Sequence, residues 1–333
     1  MERDIPHQIV EDLERSSSLT SPRLDPARAD FAQAVLAGFA RKPRSLPCRF
    51  FYDARGSALF EEITQLEEYY PTRVETALLE AYGAEIAERM GDASVLVEFG
   101  SGSSRKTSLL LSALGRVTLY VPIDVAGESL AEAAEWLSER HTGLAIRPLI
   151  ADFTKTRTLP VAARRPRKLG FFSGSTIGNL TQADARAFLA NAARLLGRDA
   201  AFLVGVDLKK DPAILIPAYN DRRGVTAAFN LNLLERINRE LDGDIDVAGF
   251  AHDAIYDEAQ GRIEMHLVSL ARQTVRVMGR EFRFAKGERI HTENSHKYAI
   301  EEFQTLARSA GWTPVHAWTD PHRLFSLHLL GLA

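Results

Sequence analysis

The chain has 333 residues, 45% hydrophobic and 26% charged, which is enough for one large globular domain or two moderate ones. Lys and Arg number 41 and Asp and Glu 44, and the net charge of −3 offers no basic field for nucleic acid or an anionic membrane. Cys48 is the only cysteine, so an intrachain disulfide is excluded, and no Cys/His cluster has zinc spacing. No apolar run is long enough for a bilayer, and the N-terminus lacks the order of a secretion signal. We expect a cytoplasmic monomer without a metal, nucleic-acid or membrane partner.

The first 45 residues are polar and mixed, and they predict a loose tail followed by an amphipathic helix at Phe31–Phe39. From residue 74 onwards, runs of apolar β-formers alternate with stretches of helical periodicity. The predicted helices are 74–90, 106–114, 128–139 and 182–196, and the predicted strands are 94–100, 119–125, 144–153, 168–173 and 200–207. This alternation indicates an α/β fold with a doubly wound parallel sheet that is covered on both faces.

The alternation is interrupted between residues 210 and 296. This segment predicts a helix followed by strands, at 221–241, 250–256, 262–270, 274–277 and 281–284. A final helix and strand pair, at 299–310, 313–318 and 325–330, is compatible with an antiparallel edge of the main sheet. We therefore predict an N-terminal tail and helix (1–45), a sheet domain (46–209 and 297–333) and an inserted α+β domain (210–296). The insert would lie over the carboxyl ends of the strands, where such sheets bind ligands.

A glycine turn follows the first predicted strand, in Glu98-Phe-Gly-Ser-Gly102. Gly100 would allow the backbone to approach a ligand closely. A dinucleotide site would show a third glycine, but Arg105 stands there. An acid directly before the glycines suits a cationic ligand, such as a sulfonium amino acid, better than a pyrophosphate. An ordinary tight turn between strand and helix is the alternative.

Two more acids stand at the ends of the next two predicted strands. Asp124 is placed to accept both hydroxyls of a ribose, and Asp152 to accept an adenine amino group beside the apolar wall of Phe153. Each aspartate alone is equally typical of a helix cap or a turn. Together with the glycine turn, they favour an adenosyl ligand without phosphates.

Seven short motifs occur together along the chain. They are Tyr52-Asp-x-x-Gly-Ser-x-Leu-Phe60, Glu68-Tyr-Tyr-Pro-Thr-Arg73, Glu98-Phe-Gly-Ser-Gly102, Gly174-Ser-Thr-Ile-Gly-Asn-Leu180, Gly224-Val-Thr-Ala-Ala-Phe-Asn230, Arg262-Ile-Glu-Met265 and Glu293-Asn-Ser295. In this combination the chain resembles the L-histidine Nα-methyltransferase family of ergothioneine biosynthesis, over about residues 30–333. The resemblance implies a class I, Rossmann-like methyltransferase sheet with an inserted substrate domain. It also implies three methyl transfers from S-adenosylmethionine to the α-amine of L-histidine, giving trimethylhistidine (hercynine).

The resemblance assigns roles to individual residues. The implied contacts of S-adenosylmethionine are Gly100, Lys106, Asp124, Asp152 and Phe153, with Lys106 neutralising the methionyl carboxylate. The implied contacts of histidine are Tyr52, Tyr69, Asn179, Tyr219, Met265, Glu293 and Ser295. In the family, the positions of Asn179 and Tyr219 hold the substrate carboxylate, and those of Glu293 and Ser295 hold the imidazole, beside Met265. Tyr52 is the candidate catalytic residue, as an orienter of the amine and not as a full general base.

Two alternatives remain open at this point. The same fold could methylate the α-amine of another amino acid, although Glu293 argues against phenylalanine, which has no donor for a buried carboxylate. It argues less strongly against tryptophan, whose indole N–H can donate. A non-catalytic binding module on the same fold is the second alternative, and the intact glycine turn with both acids argues against it.

Overall fold

The computed structural model describes residues 25–102, 104–163 and 167–332. Its helices are α1 Pro26–Ala40, α2 Ala54–Thr64, α3 Tyr70–Met90, α4 Arg105–Leu114, α5 Gly127–Arg140, α6 Gln182–Leu196, α7 Pro212–Tyr219, α8 Val225–Glu240 and α9 Ile300–Ser309. Its strands are β1 Arg44–Ser45, β2 Val95–Phe99, β3 Leu119–Asp124, β4 Ala145–Ile146, β5 Leu149–Ile150, β6 Lys168–Phe172, β7 Ala201–Asp207, β8 Phe250–Asp257, β9 Arg262–Ser269, β10 Gln273–Val277, β11 Arg280–Phe284, β12 Arg289–His296, β13 Thr313–Thr319 and β14 Phe325–Gly331. The predicted tail, residues 1–24, and part of the basic loop after residue 155 lie outside the described residues.

The main sheet has the order β13-β14-β7-β6-β2-β3-β4, with β5 also paired to β3. Strands β2, β3, β6 and β7 run parallel, whereas β14 runs antiparallel to both β7 and β13. Every residue of β2, β6 and β7 is buried, as central strands covered on both faces require. The order reverses between β2 and β6, so their carboxyl ends form the switch point where such sheets bind ligands. The predicted α/β fold with an antiparallel edge is confirmed.

The predicted strand at 144–153 is wrong as a single element. The chain forms only β4 and β5 there, each two residues long. Pro148 lies between them and has no N–H to donate, so a continuous ladder along β3 is not possible. Asp152 consequently lies in a turn beyond the sheet edge and not at the end of a long strand.

The inserted segment forms a second sheet in the order β1-β12-β9-β8, beside the hairpin β10-β11. The sequence pattern missed β12 and the helix α7. Strand β12 is polar, but Glu293 and Ser295 are buried on the face that lines a cavity, and Thr292 is buried with its hydroxyl bonded to the carbonyl of Met265. Such a strand does not show the apolar alternation by which half-buried strands are recognised.

The N-terminal segment packs with the insert. One hydrophobic cluster joins Phe31, Phe39 and Phe51 with Leu233 and Ile290, and β1 pairs with β12. This packing favours grouping residues 26–69 with the insert, and the domain boundaries at 45/46, 209/210 and 296/297 stay predictions.

Candidate active site

The glycine turn after β2 is built for a close approach of the backbone. Gly100 has a φ of +71°, and its N–H donates to the carbonyl of Ile123 on β3 at 2.7 Å. A Cβ at this position would lie 3.5 Å from the ring of Phe153. The structure thus brings Gly100 and Phe153 together, as expected of one site.

The two strand-end aspartates hold turns beside this loop. Asp124 accepts the N–H of Gly102 at 3.2 Å and that of Ala126 at 3.0 Å. Asp152 accepts the N–H and the hydroxyl of Thr154, at 2.9 and 2.5 Å. The turn-forming role and the ligand role are compatible, because in these hydrogen bonds Asp124 uses one lone pair of each oxygen and Asp152 uses only Oδ1, which leaves Oδ2 to offer.

Lys106 lies near the loop, but a carboxylate already contacts it. Its Nζ is 2.5 Å from Oε2 of Glu75, whose side chain is fully buried in α3. Glu75 also accepts the N–H of Gly174 at 2.8 Å, so it links Lys106 to the loop that follows β6. Sequence reasoning missed Glu75, although a charged residue on the same helix face as Leu78 and Leu79 was a usable signal.

Glu98, the acid expected to suit a cationic ligand, lies buried beneath the glycine turn. Its side chain is buried and accepts hydrogen bonds from Thr107 and Tyr120. Burial raises the pKa of this carboxyl to about 8, only partly opposed by those hydrogen bonds, so it is largely uncharged at pH 7. Oε1 of Glu98 has no hydrogen-bond partner among the described residues, and its relation to a cationic ligand stays a prediction.

All seven residues predicted to contact histidine line one cavity that is partly open to solvent. They are Tyr52, Tyr69, Asn179, Tyr219, Met265, Glu293 and Ser295. Side chains that sequence reasoning did not single out complete the wall, namely Phe60, Ile63, Ser175, Thr176, Ala218, Thr226 and Phe229. The residues come from the N-terminal segment, the loop after β6 and the insert, so the cavity lies where these three parts meet.

The loop after β6 is fitted closely against β12. A Cβ at Gly178 would lie 2.7 Å from the carbonyl oxygen of His296, so any other residue would push the loop away. Asn179 follows at once and ends a short 3₁₀ turn. The second glycine of the Gly-Ser-Thr-Ile-Gly-Asn motif therefore holds Asn179 beside the strand that carries Glu293 and Ser295.

Tyr219 and Ser295 contact each other and a lysine that was not predicted. The two hydroxyl oxygens are 2.7 Å apart. Lys297 donates to Tyr219 at 2.8 Å, to Ser295 at 2.7 Å and to Asp207 at 2.7 Å. Glu293, Ser295 and Lys297 are spaced by two along the chain, which puts them on one side of an extended strand. That spacing was the signal from which Lys297 could have been found.

The ionisable groups of the cavity are shifted toward their uncharged forms. Burial raises the pKa of Glu293 to about 7, with the charge of Lys297 opposing the shift. Burial, and next the charge of Glu293, raise the pKa of Tyr52 well above its usual value. Burial also raises the pKa values of Tyr69 and Tyr219. The phenols therefore keep their protons at pH 7, so the Tyr52 hydroxyl is available as a hydrogen-bond donor, and its role as an orienter stays a prediction.

Aromatic rings form a continuous wall around the cavity. The ring of Phe60 lies 5.7 Å from that of Tyr52 and 6.3 Å from that of Tyr69. Phe229 lies 5.8 Å from Tyr52, and Tyr219 lies 6.2 Å from Tyr69. Such ring faces attract an alkylated ammonium without needing hydrogen bonds from it.

The described residues also allow two statements about other ligands. Within residues 25–102, 104–163 and 167–332, no group of three or more His, Cys, Asp or Glu side chains is placed to hold a metal ion. Over the same ranges, no helix has both the length and the apolar character needed to cross a membrane.

Comparison with known proteins identifies the family. The model of a family described as "Histidine-specific methyltransferase, SAM-dependent" matches residues 31–332. Two proteins named histidine N-alpha-methyltransferase are each 42% identical, from Mycolicibacterium smegmatis (92% of this chain and 96% of that one) and from Mycobacterium tuberculosis (89% and 92%). Ergothioneine biosynthesis protein 1 of Neurospora crassa is 36% identical over 86% of this chain, which spans only 33% of that longer protein.

Proposed function

Because the chain belongs to the family of histidine-specific, S-adenosylmethionine-dependent methyltransferases, we propose that it methylates the α-amine of L-histidine. The product would be the trimethylated amino acid hercynine, for ergothioneine biosynthesis. The observation that supports this most is the single cavity lined by all seven expected histidine contacts, including a buried carboxylate, an amide and hydroxyl groups. The match of the chain to histidine N-alpha-methyltransferases over nearly its whole length agrees with it.

The residues at the carboxyl ends of β2 and β3 fit S-adenosylmethionine. Gly100 leaves room that a Cβ would fill, directly against Phe153. The hydroxyl of Ser101 in the same loop is buried and has no hydrogen-bond partner among the described residues, so it is free for a ligand. Asp124 would hold the ribose, Asp152 the adenine amino group, and Lys106 the methionyl carboxylate. When bound, this molecule supplies an electrophilic methyl group on a sulfonium.

The histidine cavity suits the two polar ends of the amino acid. Asn179 and Tyr219 would donate to its carboxylate, and Glu293 and Ser295 would pair with its imidazole. Met265 lies directly opposite Glu293 in the β9–β12 ladder, where it would pack beside the ring. With both ends held, the α-amine is the group left to be aligned for methylation.

Catalysis on this account is mainly alignment, together with loss of a proton from the amine. An α-amine is largely protonated at pH 7 and cannot attack in that form. The proton would leave to solvent through the open side of the cavity or through water near Tyr52, which orients the amine. As methyl groups are added, the amine loses its N–H donors, and the aromatic wall would favour the growing ammonium by about 0.5–2 kcal/mol.

A panel of amino acids separates this function from methylation of another amino acid. With saturating S-adenosylhomocysteine, titration calorimetry would compare histidine, tryptophan, tyrosine and arginine. We expect histidine to bind at least about tenfold more tightly than the others, because only its imidazole pairs with Glu293 and Ser295 together. Tighter binding of tryptophan would move the proposal to that amino acid, and no amino-acid binding would favour the non-catalytic alternative.

We also propose that the protein works as a cytoplasmic monomer without a nucleic-acid partner. The net charge of −3 supports the absence of a nucleic-acid partner. Sedimentation equilibrium with and without histidine would measure the mass in solution. A mass of twice 36.9 kDa would contradict the monomer.

A further inference from the structure

Lys297 is a fully buried lysine at the back of the histidine cavity. It directly follows β12, and its side chain has no exposed surface. Its Nζ lies 2.7 Å from Oδ2 of Asp207, 2.8 Å from the Tyr219 hydroxyl and 2.7 Å from Ser295 Oγ. These three contacts use all three hydrogens of the ammonium group.

The contacts of Lys297 determine what the two hydroxyls can offer a ligand. Each hydroxyl has one hydrogen and two lone pairs, and Lys297 occupies one lone pair on each oxygen. The bond of 2.7 Å between Tyr219 and Ser295 uses one of the two hydrogens and one further lone pair. One hydrogen is left for the cavity, so the pair presents a donor there. A donor is what a carboxylate requires.

The charges behind the cavity also favour an anion. Asp207 is fully buried and contacts two ammonium groups, those of Lys297 and Lys210. The third side chain that contacts its carboxylate is the neutral hydroxyl of Tyr70, 2.8 Å away. Glu293 and Asp320 also act on Lys297 and Lys210 from outside this cluster, but within it one carboxylate faces two cations, which leaves one positive charge in excess. A substrate carboxylate next to Tyr219 would balance it.

We propose that Lys297 is a positioning residue for the carboxylate of histidine, because it holds Tyr219 and Ser295 as a hydrogen-bond donor and supplies the balancing positive charge. This inference rests on the proposed function and extends it to a residue that does not line the cavity. Lys297 acts through the two hydroxyls and is not assigned a contact with substrate.

Lys210 provides a matched control. It also pairs with Asp207, at 2.6 Å, but its other contacts are Tyr70 and the carbonyl of Leu208, away from the cavity. Either Lys297→Met or Lys210→Met removes one cation and leaves Asp207 one ammonium and the Tyr70 hydroxyl. The two variants therefore perturb the buried charge alike and differ in their effect on Tyr219 and Ser295.

The test measures binding of S-adenosylhomocysteine, and then of histidine and histamine in its presence, by calorimetry on the full-length variants. We expect Lys297→Met to lose about tenfold or more in histidine affinity, against less than about threefold for Lys210→Met. Affinity for S-adenosylhomocysteine should not change. Histamine, which has no carboxylate, should lose less than histidine. Lys297→Gln, which keeps an N–H donor, should recover part of the loss and takes the place of Lys297→Met if that variant does not fold.

Equal losses in Lys297→Met and Lys210→Met would overturn the inference, since they would show only a shared role in neutralising Asp207. Equal losses for histidine and histamine would overturn the carboxylate assignment. Wild-type protein that does not bind histidine at all would instead contradict the proposed function, before any variant is compared.

Discussion

The Nζ of Lys106 lies 2.5 Å from Oε2 of Glu75, a carboxylate with no exposed surface that also accepts the N–H of Gly174. Lys106 stands in the first turn of α4, next to the glycine loop, whereas Gly174 lines the cavity that also holds Tyr219 and Glu293. One buried carboxylate therefore connects the proposed S-adenosylmethionine site with the proposed histidine site.

Lys106→Met should both destabilise the fold and weaken the binding of S-adenosylmethionine. The variant leaves Glu75 buried without its cation, and breaking such a pair typically costs about 3–5 kcal/mol. In the double variant Lys106→Met/Glu75→Gln the stability should largely return, but the affinity should not, because the cation for the methionyl carboxylate is still missing. Urea unfolding and calorimetry with S-adenosylhomocysteine measure the two effects.

The matched control is Arg105→Met, at an exposed neighbouring cation. A double variant that binds like the wild type would show that Lys106 has no direct contact with the ligand.

Asp124→Ala should weaken the binding of S-adenosylmethionine by about 1–3 kcal/mol, the scale of a hydrogen bond to a charged group. Asp124 also holds the N–H of Gly102, so part of the loss would come from a looser loop. Asp92→Ala, at an exposed aspartate whose side chain pairs with Arg116, is the control for loss of one surface charge. Unchanged affinity in a folded Asp124→Ala protein would remove the ribose assignment.

Glu293→Ala should lower histidine affinity by about 1.5–3 kcal/mol and relax the discrimination against phenylalanine. The carboxylate requires a donor, and phenylalanine has none. Tryptophan should also improve, since alanine leaves more room. Asn294→Ala is the matched control, because Asn294 binds His291 and does not line the cavity. Competition assays that find the histidine preference of Glu293→Ala intact would leave the imidazole contact without support.

The free energy of unfolding should depend on pH because of the buried carboxyl group of Glu98. The folded-state pKa of about 8 is raised above the usual value, so between about pH 4 and pH 8 the folded protein binds more protons at this group than the unfolded chain does. The unfolding free energy contributed by Glu98 therefore falls as the pH rises through this range. Between pH 6 and pH 8, the decrease in the free energy of unfolding should be smaller in Glu98→Gln than in the wild type, by about 1–3 kcal/mol. The reason is that an amide accepts hydrogen bonds from Thr107 and Tyr120 but does not ionise. Equal pH slopes for the two proteins, from urea unfolding, would contradict the burial of an uncharged carboxyl.

The sequence predicted the parallel sheet, because strands buried on both faces read as continuous apolar runs between helices of regular periodicity. It did not predict β12, since that strand is buried against a polar cavity and not against the core. The predicted strand 144–153 is divided at Pro148 because proline has no N–H to donate to the ladder. This cause is local, so the division could have been predicted from the sequence. The association of residues 26–69 with the insert depends on contacts distant in the chain, which periodicity does not report.

The residues of the candidate site were likewise predicted only in part. The motifs carried enough information to select the seven side chains that line one cavity. They did not reveal Glu75, Lys297 or Asp207, whose importance lies in buried charge pairing between distant segments. They also did not reveal the burial of Glu98 against Thr107 and Tyr120, because the direction of a strand-end side chain depends on its packing.

The most direct test of the account is the identity of the methylated atom. Purified protein would be incubated with L-histidine and S-adenosylmethionine, and the products followed by mass spectrometry and NMR. We predict mono-, di- and trimethylated histidine, with every methyl group on the α-nitrogen, because Glu293 and Ser295 are proposed to hold the ring and Asn179 and Tyr219 the carboxylate. Methyl groups on a ring nitrogen, or no methylated histidine at all, would contradict the account.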